Sequence, residues 1–126
     1  MPQTVLLVDD DTDLHVLVKN TLARHGYVVA EAYDGAEALS MLSRVKPDIL
    51  LVDLTMPGMD GWTFIREYRS LIHANTPVVV LTARTGFLDK TVMSKLNDVD
   101  AYLTKPFEPK ELRMIVQELL ARRGVK

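Results

Sequence analysis

Three short runs in the chain are apolar at every position, and each stops at a polar residue. Val5-Leu6-Leu7-Val8 ends before Asp9, Ile49-Leu50-Leu51-Val52 before Asp53, and Val78-Val79-Val80-Leu81 before Thr82. A strand with one wet face alternates apolar and polar residues. Runs that are branched and apolar throughout suit strands buried on both faces, as in a parallel sheet. Weaker strands are predicted at Tyr27 to Ala32 and Ala101 to Thr104.

Between the strands the apolar positions recur at spacings of three and four, which places them on one helix face. Leu14, Leu17, Val18 and Leu22 form such a stripe, closed by Gly26. Ala38, Leu39 and Leu42 form another, ending before Pro47. Phe64, Ile65, Tyr68, Leu71 and Ile72 give a third, and Leu88, Val92 and Leu96 a weaker fourth. Leu112, Ile115, Val116, Leu119 and Leu120 give the clearest, with Glu108 at its cap and Pro109 in its first turn. Trp62 and Met114 fall off their stripes and read as exposed apolar residues. Strands alternating with helices in this way predict a doubly wound (βα)5 fold, a three-layer α/β sandwich with right-handed crossovers.

The length of 126 residues fits one domain spanning 1–126, large enough for a single core. At 48% hydrophobic and 25% charged, the composition is that of an ordinary globular protein. With a net charge of -2, nothing argues for nucleic acid or an anionic membrane as a direct partner, and none is expected. With no cysteine, disulfides and cysteine-ligated metals are excluded. No apolar run approaches the roughly 20 residues that span a bilayer. Met1-Pro2-Gln3-Thr4 leads straight into a strand, so no signal peptide is read and a cytoplasmic location is expected. His15, His25 and His73 are scattered and are expected at the surface.

In doubly wound sheets the ligand lies beyond the carboxyl ends of the strands. Asp9, Asp10 and Asp11 follow the first strand, Asp53 the third, Thr82 the fourth and Lys105 the fifth, so all share one rim. Taken singly, each has a plain explanation. An Asp after a strand often caps the next helix, and Asp11 is read that way because Thr12 and Asp13 begin one. A Thr at a strand end bonds its own loop, and a lone Lys is solvated. Taken together, three converging carboxylates repel one another and need a counter-charge. A hard divalent cation supplies it, and an oxygen-only donor set suits Mg2+. Such a pocket, with an ammonium and a hydroxyl, is suited to a phosphoryl group, and an Asp can itself be the nucleophile.

Over nearly its whole length the chain resembles the receiver domain of two-component response regulators. The residues that carry the likeness are Val5 to Asp11, the stretch Val52 to Gly61 with Asp53, Met56-Pro57 and Asp60-Gly61, Val80 to Ala83, and Tyr102 to Phe107 with Lys105-Pro106. The resemblance implies a five-stranded parallel sheet in the order 2-1-3-4-5, the flavodoxin-like arrangement. It implies that Asp53 is the phosphoacceptor, fed by a sensor histidine kinase or a histidine phosphotransfer protein. Mg2+, or another divalent cation such as Mn2+, would be held by Asp10, Asp53, the backbone carbonyl of Thr55 and, through water, Asp9. Lys105 would contact the phosphoryl group, with a cis peptide bond to Pro106. Thr82 and Tyr102 would be the switch pair, and Thr55 and Arg84 would tune the lifetime of the phosphate. The chain would catalyse only its own phosphorylation and dephosphorylation and would not otherwise be an enzyme. Its output would be a downstream effector protein, or an effector domain outside this chain, engaged by the face of the fourth helix, fifth strand and last helix.

One departure from the family pattern concerns spacing. Thr82 and Lys105 stand 23 positions apart, one more than is usual, and Asn97-Asp98-Val99-Asp100-Ala101 occupies the place of a common Gly-Ala-Asp. Asn and Asp tolerate turn backbone, so a turn is still expected there. Two other readings compete. An aspartyl-phosphate hydrolase would carry a second Asp two positions after the nucleophile, where this chain has Thr55. A flavodoxin-like cofactor carrier would need a phosphate loop after the first strand, where Asp9-Asp10-Asp11 would repel the phosphate. A receiver kept only as an interaction module is a further alternative.

Overall fold

The computed structural model describes residues 2–72, 75–83 and 99–124. Within them lie five strands: β1 (Thr4–Val8), β2 (Val28–Ala32), β3 (Ile49–Asp53), β4 (Val78–Ala83) and β5 (Ala101–Lys105). All neighbours are parallel, and the sheet order is β2-β1-β3-β4-β5. Four helices are described: α1 (Thr12–Ala23), α2 (Gly35–Met41), α3 (Gly61–Leu71) and α4 (Pro109–Gly124). The helix expected around Leu88, Val92 and Leu96 lies outside the described residues, as do Arg84 and His73.

The continuous apolar strands are explained by two cores, one on each face of the sheet. Successive side chains of a strand point to opposite faces. Val5, Leu7, Ile49, Leu51, Val79, Leu81 and Leu103 therefore pack with Leu14, Val18 and Leu22 of α1 and with Leu112, Val116, Leu119 and Leu120 of α4. Leu6, Val8, Leu50, Val52, Val78 and Val80 pack on the other side with Ala38 and Met41 of α2 and Phe64, Ile65 and Tyr68 of α3. The edge strand β2 is less buried than the three central ones, which is why its sequence pattern is weak.

Aspartates start three of the helices. Asp11 accepts from the N–H groups of Asp13 and Leu14, as expected of a cap, and Asp34 and Asp60 do the same for α2 and α3. At α4 the carbonyl of Glu108 accepts from Leu112, and Glu111 reaches back to the Glu108 N–H at 3.0 Å. α1 closes through Gly26, whose φ of +88° is open to glycine without strain.

Three expectations need correction. Leu71, the last residue of α3, is 59% exposed, while Ile72 beyond it packs on the core. Trp62 is partly buried against the α2–α3 core and is not a bare surface residue, whereas Met114 is exposed as expected. His15 is buried, for reasons given by its partners below.

Asp100, just before β5, fixes the register of that strand against β4. Asp100 accepts from the Val78 N–H at 2.8 Å, and its own N–H donates to the Val78 carbonyl at 2.9 Å. This pair of bonds aligns Thr82 with Thr104 and Ala83 with Lys105.

Candidate functional site

The carboxyl ends of β1, β3, β4 and β5 meet at one rim, and the rim residues are held by ordinary backbone geometry. Asp9 is the first residue after β1 and is fully buried. Its N–H donates to the Ala32 carbonyl at 3.1 Å, which keeps it in line with β2. Its Oδ1 accepts from the Asp11 N–H at 2.9 Å, and its Oδ2 accepts from Lys105 Nζ at 2.7 Å. Asp53 ends β3 and is 4% exposed. Its Oδ1 accepts from the Thr55 N–H at 3.3 Å, and its Oδ2 lies 3.6 Å from Lys105 Nζ. Asp10 is exposed, and oxygens of Asp9, Asp10 and Asp53 all lie within 4.8 Å of one another.

The charge balance of this cluster sets the behaviour of Asp53. Burial pushes its carboxyl up to about 6, and the nearby Asp9 and Asp10 carboxylates add to the rise. Lys105 and the Thr55 N–H pull the other way without cancelling it. A hydrogen-bonded acid with two acidic neighbours and one shared ammonium has an unmet need for positive charge. Among the described residues the donor set consists of three carboxylates with no nitrogen or sulfur, which fits a hard divalent cation.

Of the other residues expected here, Thr82 is buried near the carboxyl end of β4, one position beyond Leu81, the partner of Asp53 across the sheet. Thr55 is exposed two residues after Asp53. The Lys105–Pro106 peptide is cis. Tyr102 is 42% exposed on β5, so the ring lies outside the core. Asp11 is the cap of α1 and stands apart from the acidic cluster.

Two features next to the rim were not anticipated. His15 of α1 is 1% exposed, and its Nε2 lies 2.7 Å from the Asp9 carbonyl. The signal was present: His15 stands three before Val18 and seven before Leu22, on the buried stripe. Gly61 starts α3 directly over the end of β3, with its N–H donating to the Leu54 carbonyl at 3.0 Å. A Cβ there would run into the Asp53 carbonyl and come within 2.8 Å of Leu54 Cα, so only glycine permits the approach.

Comparison with known proteins bears on this geometry. The family profile described as the response regulator receiver domain matches residues 5–117. The DNA-binding response regulator MtrA of Mycobacterium tuberculosis is 38% identical over 122 residues, covering 97% of this chain and 52% of that protein. A probable transcriptional regulator, ycf27 of Guillardia theta, is 34% identical over 95% of this chain and 46% of its own length. The chain thus spans about half the length of these relatives. Among solved structures, the chemotaxis protein CheY4 of Vibrio cholerae superposes with a TM-score of 0.84 at 31% identity, covering 94% of this chain and 98% of that one. The receiver domain of the Francisella response regulator 1452 gives 0.84 at 32% identity, over 97% and 99%. With the acidic rim, the 2-1-3-4-5 sheet and these matches in agreement, the chain belongs to the response regulator receiver domain family, whose role is phosphorylation-dependent two-component signalling.

Proposed function

We propose that Asp53 is the residue of this chain that is phosphorylated, by a phosphohistidine on a sensor histidine kinase or a phosphotransfer protein. The observation that carries this reading is the position of Asp53: a nearly buried carboxylate at the end of a central strand, 3.6 Å from an ammonium and grouped with two further acids. In the transfer, a carboxylate oxygen of Asp53 attacks phosphorus while the phosphorus–nitrogen bond of the donor breaks. The imidazole leaves with the bonding electron pair. Such a reaction asks for alignment and charge neutralisation more than for acid–base machinery. Asp10, Asp53, the Thr55 carbonyl and, through water, Asp9 would hold a divalent cation, Mg2+ or alternatively Mn2+. The cation supplies charge neutralisation at the phosphoryl oxygens.

Lys105 shares its ammonium between Asp9 and Asp53 and serves the incoming phosphoryl oxygens. Thr82 donates its hydroxyl to the same group, and Tyr102, now outward, turns into the space that Thr82 leaves. Thr55 and Arg84 set the rate at which water reaches the acyl phosphate. The consequence is a change in the face formed by β5 and α4 and the segment before β5, where an effector docks. The chain turns over no separate substrate and acts only on its own phosphate. A cytoplasmic setting is consistent with this role.

The test is phosphorylation by a small donor such as acetyl phosphate. With Mg2+ the protein is expected to gain an acid-stable, base-labile phosphate, and Asp53→Asn to gain none. Labelling of that variant at the unaltered rate would refute the assignment. A beryllofluoride complex is expected to move both Thr82 and Tyr102.

A further inference from the structure

Among the described residues, the buried polar side chains are Asp9, His15, Asp53, Thr76 and Thr82. Asp9, Asp53 and Thr82 belong to the rim, and Thr76 is bonded to Tyr68 far from it. His15 is left without a role in the chemistry, yet it touches the site. Its Nε2 donates to the Asp9 carbonyl at 2.7 Å, since a carbonyl can only accept. Its Nδ1 is hydrogen-bonded to Glu31 Oε1 of β2 at 3.1 Å. The ring stacks on Tyr33, with centroids 4.1 Å apart and planes inclined by 20°. Glu31 is held in turn by Lys19, whose Nζ lies 3.5 Å from Oε2.

With this bond, every polar group of Asp9 has a protein partner. The N–H goes to Ala32, Oδ1 to Asp11, Oδ2 to Lys105 and the carbonyl to His15. Asp9 has no exposed surface, so these partners do the work that water does elsewhere. The Asp9 carbonyl also belongs to the peptide plane that leads into Asp10, and that plane is rigid. Fixing the carbonyl therefore fixes the direction in which the exposed Asp10 leaves the rim.

We propose that His15 is a positioning residue for the cation: gripped by Glu31 and Tyr33, it locks the Asp9–Asp10 peptide and so aims the Asp10 carboxylate at Asp9 and Asp53. The proposal rests on the reading that these acids hold a divalent cation. Groups that orient a metal ligand without touching the metal commonly carry a large share of the affinity. The edge strand β2, which supplies no rim residue of its own, thereby becomes part of the site.

The test is calorimetric titration of Mg2+ into the protein and into His15→Leu and His15→Gln. Leucine fills the space and donates nothing, whereas glutamine keeps an N–H for the Asp9 carbonyl. His15→Leu is expected to weaken Mg2+ binding about tenfold or more, and His15→Gln to recover most of the loss. Without metal, the backbone amides of Asp10 and Asp11 are expected to exchange hydrogen faster in His15→Leu than in His15→Gln. A purely structural His15 would lower thermal stability in both variants and leave Mg2+ affinity unchanged, and that result overturns the proposal. Should His15→Leu not fold, Glu31→Ala, which removes the partner of Nδ1, is expected to weaken Mg2+ binding, though less than loss of the direct partner; an unchanged affinity again overturns it. Failure of the unaltered protein to bind Mg2+ would remove the cation reading, and this proposal with it. Equal affinity in the unaltered protein and His15→Leu would remove this proposal alone.

Discussion

Lys105 and Asp9 form an ion pair of 2.7 Å across the rim, although the two residues lie 96 positions apart in the chain. Asp53 Oδ2 lies farther from the same ammonium, at 3.6 Å. The ammonium therefore neutralises the fully buried Asp9 first and Asp53 only in part. Burial, and then the Asp9 charge, outweigh this partial pairing, so the Asp53 carboxyl remains raised with a lysine beside it.

Lys105→Met is expected to expose the cost of that arrangement. Breaking one side of a buried pair leaves the other charge uncompensated, and here the lysine is partly exposed, so a loss of about 2–3 kcal/mol is expected at neutral pH. The Asp53 carboxyl is expected to titrate above its present value of about 6, because the lysine is its main stabilising neighbour. Urea unfolding and a carboxyl NMR titration check both. Unchanged stability with an unchanged titration would contradict the role given to Lys105.

The pH dependence of stability follows from Asp53. Its pKa is about 6 in the folded protein, against an ordinary value of 3.8. A raised carboxyl holds its proton more tightly when folded. The advantage is complete below the unfolded value, where both states are protonated, and is lost as pH rises through about 6. Above that the folded state carries a penalty on the order of 3 kcal/mol from this group. Asp53→Asn removes it. In the absence of divalent cations, the variant is expected to exceed the unaltered protein in stability at about pH 7 to 8, with the difference fading toward about pH 4. Denaturation across that range checks the sign. Greater stability of the unaltered protein at neutral pH would contradict it.

Gly61→Ala tests the seating of α3 over the end of β3. The added methyl would meet the backbone of Asp53 and Leu54, which cannot swing aside as a side chain could. A destabilisation of about 1–3 kcal/mol is expected, together with slower phosphorylation by a small donor. Gly58→Ala provides the contrast. Its Cβ would meet nothing within 4 Å, so any cost there comes from its φ of +79° and leaves the Asp53 strand in place.

Thr76→Val is expected to affect stability without affecting chemistry. Tyr68 is buried, and its hydroxyl lies 2.7 Å from Thr76 Oγ1. Valine keeps the shape and leaves the phenol unpaired, at a cost of about 1–3 kcal/mol. Thermal unfolding is expected to register the change while the phosphorylation rate holds. A rate that falls as steeply as stability would mean that the α3–β4 connection is coupled to the site.

The central strands and the acidic rim were legible because both depend on local signals. Continuous apolar runs identify β1, β3 and β4 without reference to the rest of the chain, and each run ends where a rim residue begins. Residues whose burial depends on a distant partner were harder to read. His15 looks like a surface histidine until the Asp9 carbonyl and Glu31 are seen to need it. Leu71 continues an apolar stripe but is the last residue of α3 and lies exposed, while its neighbour Ile72 packs on the core. Gly61 could be identified as a helix start, yet the reason it must be glycine is the backbone of β3 beneath it.

The most direct measurement is to phosphorylate the protein with Mg2+ and a small phosphodonor, trap the acyl phosphate by reduction, and map the modified residue by peptide mass spectrometry. The expected result is a single site at Asp53, formed only with the divalent cation and absent from Asp53→Asn. A modification mapped to Asp9 or Asp10, or one formed at the same rate without a divalent cation, would contradict the assignment.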